Sequence, residues 1–446
     1  MFKWDYPSKS RQNKIIRLAT PIVLGMLSIN ILDVVDTAMI GRLGDKALAG
    51  TGFASFLFFV SFSMTVGIAA SVQTMTARRL GENKLMECGL PLNAAILIVG
   101  IYGLLIWIVM SLLSTPILSL FSSDSEVLQL SLDYFLWRIP GVLAVGISLC
   151  FRGFWNGIKS PNTYTTILVA THVLNIILNW MLIFGHLGFP ELGVKGAAIG
   201  STVSLYVGMF AYIFVTRFKK RSMNILSVLP KTPIFRTLFR IGIPSAIDQW
   251  LFAMFLLAMF WILGQISTEA AAVGHVVIIC TLLLFLPGAG LGMTSLSLVS
   301  EALGRKDLKD ASQWAWDIIK FGIPWIVLIG FILFWIPKLV LKFFIHTQST
   351  LELAIIPFRV DLVMMGSMCM GVIFLESLVG AGATRLIMLM KVLFRYGILL
   401  PGAYILAVPL QHGINDVWVY WALINFVETL ILVKIWNRQH WSKIKV

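Results

Sequence analysis

The sequence predicts an all-α polytopic membrane protein, with twelve transmembrane helices in two pseudo-symmetric six-helix lobes around a central cleft. Of its 446 residues, 58% are hydrophobic and 13% are charged, and the mean hydropathy is +0.88. An ordinary soluble domain needs far less apolar material to fill its core. Apolar runs of about twenty residues, such as 94–113 and 165–184, recur along the whole chain, so hydrophobicity is not confined to one anchor.

These runs are uniformly apolar and do not alternate polar with apolar residues. Inside a bilayer every backbone amide needs an internal hydrogen-bond partner, which a helix supplies within one segment. We therefore expect helices. Residues 1–14 are polar and basic, and the apolar segment that follows lacks a small-residue cleavage signature. No removable signal peptide is expected.

An internal repeat divides the chain. Placing Pro21 on Pro244 and reading onward without gaps superimposes further small residues: Gly41 and Gly264, Ala47 and Ala270, Gly67 and Gly290, and Gly81 and Gly304. Because glycine and proline mark backbone positions, this coincidence indicates duplication. Six helices per half make the repeats parallel, about an axis along the membrane normal. The predicted division is an N-terminal lobe at 1–216, a cytoplasmic inter-lobe loop at 217–236 and a C-terminal lobe at 237–446.

The net charge of +14 reports orientation in the membrane. Lysine and arginine concentrate in the termini and alternate loops, above all between the two halves, and do not form one soluble basic face. This asymmetry predicts that both termini are cytoplasmic and that the chain has the lipid bilayer, and no nucleic acid, as its partner. We expect a monomer.

Polar residues inside the predicted spans are candidates for function, because each ionisable side chain at membrane depth costs about 2.5 to 3.5 kcal/mol. Asp36 stands in the first span, with Asp33 one turn earlier. Asn175 and Asn179 share one face of the fifth span. A carboxylate and two amides suit a hard monovalent cation or a proton-linked hydrogen-bond network. The alternatives are a carboxylate satisfied by a neighbouring polar group and amides that hold helices together.

The two halves differ at the candidate ion site, because Met259 occupies the position in the second half that is equivalent to Asp36. One lobe should therefore carry the main ion site. The remaining acids inside spans are Asp248, Asp361 and Glu376. They could contact substrate or protons, or they could pair with Arg359 or Arg385 near the helix ends.

Prolines recur inside the predicted spans and could bend helices or permit close packing. They are Pro21, Pro140, Pro244, Pro287 and Pro337. No Gly-Lys-Ser/Thr phosphate loop is present, and His and Cys show no metal spacing. The sequence therefore favours neither an enzyme nor a pump with its own ATP motor. Transport would draw on an ion gradient, without a cofactor.

Four motifs resemble the multidrug and toxic compound extrusion (MATE) family. They are VVDTAMIGRLG at 34–44, ARRLGEN at 77–83, RGFWNGIKSP at 152–161 and LNIILNW at 174–180, the last continuing into FGHLGFPELGVKGAA at 184–198. With the repeat they cover essentially the whole chain. The resemblance implies twelve helices in two lobes and location in the bacterial inner (plasma) membrane.

The resemblance also implies a function. It is antiport of H⁺ or Na⁺ against amphipathic organic cations, which makes small cationic drugs the other partner. The coupling-ion and substrate site would contain Asp36 with Asn175 and Asn179, and with Asn156 and Thr202 as weaker members. If Na⁺ is the coupling ion, Asp36, Asn175 and Asn179 would be its metal ligands. Bending of the first helix at Pro21 on protonation is proposed for relatives.

Two stretches bear on the subfamily. FLESLVGAGATR at 374–385 resembles the DNA-damage-inducible type (DinF-like), whereas the PELG loop at 190–193 is closer to the norfloxacin type. Norfloxacin-type members carry a Glu in the seventh helix, where this chain has Phe252, with Asp248 one turn earlier. The interpretation adopted is the DinF-like subfamily.

The mechanistic hypothesis is competition at one carboxylate. An ion that neutralises Asp36 weakens its hold on a cationic drug, and loss of the ion restores that hold. A lipid or lipid-linked sugar flippase of a related superfamily is the alternative transporter. A membrane-embedded enzyme would need clustered His, Ser or acidic residues on loops, and a channel would conduct faster than exchange permits.

Overall fold

The computed structural model describes residues 6–121, 124–345 and 347–444, and these residues form helices and no β-strand. The α-helices of the first half are α1 (Lys9–Gly41), α2 (Asp45–Gly81), α3 (Leu90–Leu118), α4 (Ser125–Arg138), α5 (Gly141–Gly157), α6 (Pro161–Phe184) and α7 (Val194–Lys219). Those of the second half are α8 (Thr232–Ile266), α9 (Thr268–Gly304), α10 (Leu308–Trp335), α11 (Pro337–Leu341), α12 (Gln348–Ala381), α13 (Thr384–Val392), α14 (Leu400–Ala407) and α15 (Ile414–Asn437). The predicted all-helical fold is confirmed.

The number of spans also agrees with the prediction. Within the described residues, 11 helices are long and apolar enough to cross a membrane, with α13 and α14 joined into one of them by the π-helical segment Leu393–Leu399. The pair α4 and α5, bent by 50°, makes 12 if it is one span. This bend falls at Ile139 and Pro140, where proline cannot donate a backbone hydrogen bond.

The other prolines behave differently from Pro140. Pro21 and Pro244 lie inside the continuous helices α1 and α8. Pro337, predicted inside a span, instead begins α11, because α10 has already ended at Trp335. A proline in the first turn of a helix costs no intrahelical hydrogen bond, so this position suits it.

The exposed face of α3 is suited to contact with lipid. Large apolar side chains at helical spacing are exposed on it, and a membrane protein presents such a stripe to lipid rather than to water. They are Leu97, Ile101, Leu104, Leu105, Ile108 and Leu112.

The chain forms two compact units. One consists of Leu24–Gln249, and the other consists of the chain up to Val23 together with Trp250 and all later residues. The beginnings of α1 and α8 therefore belong to different units from the remainders of the same helices. The lobe limits predicted from the sequence, 1–216 and 237–446, follow the repeat. They do not include the assignment of the beginnings of α1 and α8 to the opposite units.

The repeat is visible as a matched pair of helix contacts. In the unit Leu24–Gln249, a Cβ added at Gly67 of α2 would collide with the backbone of Ala246 in α8. In the other unit, a Cβ at Gly290 of α9 would collide with Val23 of α1. The same offset that superimposes Gly67 on Gly290 superimposes Val23 on Ala246. At both places the absence of a side chain lets two helices approach closely.

Ion pairs hold the beginning of α1 within its unit. The Arg11 guanidinium forms a salt bridge of 2.6 Å with Asp310 of α10 and a second salt bridge with Asp317. It also lies 3.6 Å from the ring centroid of Trp314. A planar guanidinium can bind carboxylates along its edge and stack on an aromatic ring with its face, so one side chain makes all three contacts.

Candidate functional site

Asp36 of α1 and Asn179 of α6 are hydrogen-bonded. The Nδ2 atom of Asn179 donates to Oδ1 of Asp36 at 2.9 Å and lies 3.2 Å from Oδ1 of Asn175, its second acceptor. Asn175 in turn donates to the hydroxyl of Ser204 on α7 at 3.0 Å. Both asparagines are buried and Asp36 is half-buried. The structure thus brings together the three residues that the sequence singled out and adds Ser204.

The second polar atom of the Asn179 amide is buried and accepts no hydrogen bond from the part of the chain that the structure describes. Its Oδ1 has no partner among the described residues, and a Cβ added at Gly200 of α7 would collide with it. A buried acceptor left unsatisfied costs about 1 to 3 kcal/mol. The Asp36 carboxylate and this spare oxygen are both ligands that a hard monovalent cation prefers, so the donor set fits a Na⁺ ion as well as a proton.

Arg138, at the end of α4, is a residue that sequence reasoning missed. Its charge acts on both Asp33 and Asp36, yet within the described residues it forms a salt bridge with neither. The guanidinium lies 4.4 Å from the centroid of the Phe58 ring, and its buried Nη1 atom has no hydrogen-bond partner in the described part of the chain. A basic residue beside Pro140, inside a predicted span, was the available signal.

The remaining predicted members in this unit lie elsewhere. Asp33 is exposed one turn before Asp36. Thr202 donates its hydroxyl to the carbonyl of Trp137 at 2.8 Å, beside Arg138. Asn156 is buried at the end of α5, where the neighbouring Gly157 packs against Gln73 and Thr76 near the end of α2. Since the turn after Asp36 leads into the beginning of α2, the structure does not bring Asn156 to the carboxylate.

Asp361 of α12 forms a separate polar cluster in the other unit. One carboxylate oxygen accepts a hydrogen bond from the Thr281 hydroxyl at 2.5 Å, and the other accepts from the Trp418 indole N–H at 2.9 Å. Arg359, its predicted alternative partner, donates to the carbonyl of Phe334 instead. Asp361 is therefore a buried carboxylate held by neutral donors.

The last two acids and Pro21 lie on three different helices. Asp248 is buried on α8, in the unit Leu24–Gln249. Glu376 is half-buried on α12 beside Gly292 of α9. Pro21 precedes Val23, the last residue of its unit on α1.

The family profile described as MatE matches this chain twice, at residues 21–181 and 244–405. The two matches begin at Pro21 and Pro244, the pair on which the repeat was aligned, so the predicted duplication is confirmed. The matched residues make up most of the chain.

Curated relatives and solved structures agree with this match. The chain is 24% identical over 418 residues to "Probable multidrug resistance protein NorM" of Thermotoga maritima, covering 92% of this chain and 88% of that protein. It is 25% identical over 441 residues to "Multidrug resistance protein NorM" of Burkholderia vietnamiensis, covering 94% and 92%. The Vibrio cholerae MATE transporter VcmN in the bent form has the same fold, with a TM-score of 0.86, 20% identity and coverage of 96% and 97%.

The described residues provide 11 to 12 helices long and apolar enough to cross a membrane, built from two repeats and carrying carboxylates within them, and this combination defines a multi-pass membrane transporter. The chain belongs to the MatE family, the multidrug and toxic compound extrusion transporters, and the predicted resemblance is confirmed. Members of this family are transporters and not enzymes. The DinF-like assignment stays a prediction.

Proposed function

We propose that this chain is a secondary active multidrug efflux antiporter that exports amphipathic organic cations in exchange for H⁺ or Na⁺. One observation carries the proposal: Asp36 is a half-buried carboxylate whose hydrogen-bond donor is a neutral amide, and within the described residues no basic side chain forms a salt bridge with it. A carboxylate in such a setting attracts a cation strongly, because burial weakens its solvation. The names of the NorM relatives support drugs as the cargo.

Exchange follows from competition for the Asp36 carboxylate. A proton or Na⁺ that binds there neutralises it and weakens the attraction for a cationic drug, which then leaves. When the inorganic ion leaves, the free carboxylate favours the drug again. Coupling requires that the two occupants exclude each other and that the binding site open to one side of the membrane at a time.

The Asn179 amide provides a way to sense which occupant is present. With Asp36 ionised, Nδ2 of Asn179 donates to it, as observed. With Asp36 protonated, rotation of the amide would offer the spare Oδ1 to the new O–H group. With Na⁺ bound, the same Oδ1 would join the carboxylate as a ligand. The free carboxylate therefore favours the observed amide orientation and a bound proton or Na⁺ favours the rotated one, and Asn175 and Ser204 would transmit the change to α7.

The other sequence-derived assignments extend this proposal. We place both termini in the cytoplasm, assign the chain to the DinF-like subfamily and take the monomer, with lobes at 1–216 and 237–446, as the functional unit. Asp33 and Thr202 would contact the coupling ion or the substrate beside Asp36. Four further residues would contact substrate or protons away from Asp36, namely Asn156, Asp248, Asp361 and Glu376. Pro21 would allow α1 to bend.

The decisive experiment is ethidium efflux from proteoliposomes with a proton or a sodium gradient imposed separately. We expect one gradient to drive efflux in the wild type and Asp36→Asn to abolish it. Asp45→Asn, which removes an exposed carboxylate at the beginning of α2, is the matched control and should transport normally. Wild-type efflux by Asp36→Asn would exclude the mechanism, and movement of fluorescent phospholipid without ethidium would identify a flippase instead.

A further inference from the structure

A cavity of about 590 Å³ lies where α10 gives way to α11, against α12. Its walls combine the basic side chains of Lys338, Lys342 and Arg359 with apolar ones that include Trp335 and Leu339. All of these residues belong to the unit that contains Trp250 and the later chain. The cavity is therefore built separately from the Asp36 cluster, which belongs to the other unit.

The charge of this cavity is not balanced. Lys338 and Lys342, four residues apart, share one face of a helical turn, and Arg359 faces the cavity from α12. None of the residues described as lining it is acidic, and none of the three cations forms a salt bridge within the described part of the chain. The nearby Glu352 instead accepts a hydrogen bond from Gln348 at 2.8 Å.

Arg359 is fixed in position without being neutralised. Its Nε atom donates to the Phe334 carbonyl at 3.2 Å, and its guanidinium lies 5.1 Å from the centroid of the Phe334 ring. These contacts orient the group but use one of its five N–H donors. The outer nitrogens remain able to bind two oxygens of a phosphate in the bidentate manner that guanidinium favours.

The surroundings of the cavity are those of a membrane interface. The apolar span α10 ends at Trp335, which is 66% exposed, and Leu339 and Phe343 on the following turn are 60% and 77% exposed. Tryptophan is enriched at the depth of lipid headgroups, and a short segment with apolar and lysine side chains side by side lies along that surface. A soluble anion would contact only the basic side chains, whereas an amphiphile would contact both the basic and the apolar side chains that line the cavity.

We propose that this cavity is a binding site for an anionic phospholipid. Lys338, Lys342 and Arg359 would bind the headgroup phosphate, and the acyl chains would lie along Trp335 and Leu339. The lipid would fasten α11 to α12 at the membrane surface. The proposal does not depend on drug transport, because the ligand is part of the bilayer around the protein.

The test is native mass spectrometry of the full-length protein titrated with dioleoyl-phosphatidylglycerol or dioleoyl-phosphatidylcholine. We expect the first phosphatidylglycerol to bind roughly tenfold more tightly than phosphatidylcholine, and Lys338→Gln/Lys342→Gln to remove most of that difference. Both lysines are exposed, so the fold should survive their substitution. The matched control is Lys306→Gln/Lys309→Gln, which removes two exposed lysines from the other end of α10.

Three results would overturn the proposal. The first is equal binding of phosphatidylglycerol to the wild type and to the Lys338/Lys342 variant, and the second is an equal loss of binding in the Lys306/Lys309 control. The third is displacement of the bound lipid by millimolar glycerol phosphate, which would mean that the cavity recognises a free phosphate ester. Selective loss in the first variant, with no displacement, supports a lipid site.

Discussion

Asn179 donates its side-chain amide to Asp36 at 2.9 Å while its own oxygen, buried beside Gly200, accepts no hydrogen bond from the described residues. The amide is therefore satisfied on the side that faces an ionised carboxylate and unsatisfied on the other. We propose that rotation of the amide would turn the spare oxygen toward Asp36, where it could accept from a protonated carboxyl or bind a cation.

Asn179→Ala should slow ethidium exchange in proteoliposomes about tenfold or more. The variant loses a hydrogen bond to a charged group, and such bonds contribute about 1.5 to 3 kcal/mol. Asn425→Ala is the control, because the Asn425 amide donates to the Trp421 carbonyl of its own helix. Equal exchange rates in the two variants would show that the Asn179 amide has no part in coupling.

Gly200→Ala should impair exchange although it alters no polar group. The added Cβ would collide with Oδ1 of Asn179 and push the amide away from Asp36, at an overpacking cost of about 1 to 3 kcal/mol. Gly100→Ala on α3 meets nothing within 4 Å and should be neutral or slightly stabilising. Thermal unfolding and ethidium exchange would be measured on both, and normal exchange by Gly200→Ala would contradict the argument.

Arg138→Gln should tighten ethidium binding by a factor on the order of five, because a nearby positive charge that opposes a cationic ligand is removed. Fluorescence polarisation of ethidium on the purified protein measures this. Arg42→Gln, at the exposed end of α1, removes the same charge and should have little effect. Weaker binding by Arg138→Gln would mean that the arginine supports the site and does not compete with the ligand.

Gly67→Ala should destabilise the protein more than Gly290→Ala, although the repeat makes the two positions equivalent. A Cβ at Gly67 meets the backbone of Ser245 and Ala246, whereas a Cβ at Gly290 meets chiefly a methyl group of Val23. A side chain can rotate away and a helix backbone cannot, so we expect the Gly67 variant to lose about 1 to 3 kcal/mol more. Thermal unfolding in detergent measures the difference, and equal melting temperatures would disprove it.

Arg11→Ala should lower the melting temperature clearly, whereas Lys46→Ala should leave it almost unchanged. Removing Arg11 leaves the carboxylates of Asp310 and Asp317 without this cation and exposes a face of Trp314, which we expect to cost on the order of 2 kcal/mol. Lys46 also pairs with two acids, but it and its partners are well exposed, so water screens the pairs. A similar melting temperature for the two variants would show that the Arg11 pairs do not stabilise the unit.

Much of the architecture could be predicted because the bilayer permits few alternatives. Uniform apolar runs predicted helices, and the number of runs predicted the spans. The paired glycines predicted a duplication that the two family matches confirm. The site was predicted in part, since a carboxylate and two amides inside spans are rare enough to be noticed.

What could not be predicted depends on distance between helices. Arg138 was overlooked because its relation to Asp36 crosses from α4 to α1. Asn156 was grouped with Asp36 by the family resemblance, yet it lies at the far end of α5. Nothing along the chain connects Lys338 and Lys342 with Arg359, and only the packing of α11 against α12 places all three around one cavity.

The sequence by itself determined that this protein lies in a lipid bilayer, that it is all-helical and that it is duplicated. It also singled out Asp36, Asn175 and Asn179 as polar residues inside apolar spans. These follow from composition and spacing along one chain, which fix what a segment can satisfy within itself. The tertiary structure alone decided which residues meet, namely Asn179 with Asp36, Gly200 with the Asn179 oxygen, and Val23 with Gly290. Contacts between helices depend on packing in three dimensions, and a small residue such as Gly200 has no visible function until its neighbour is known.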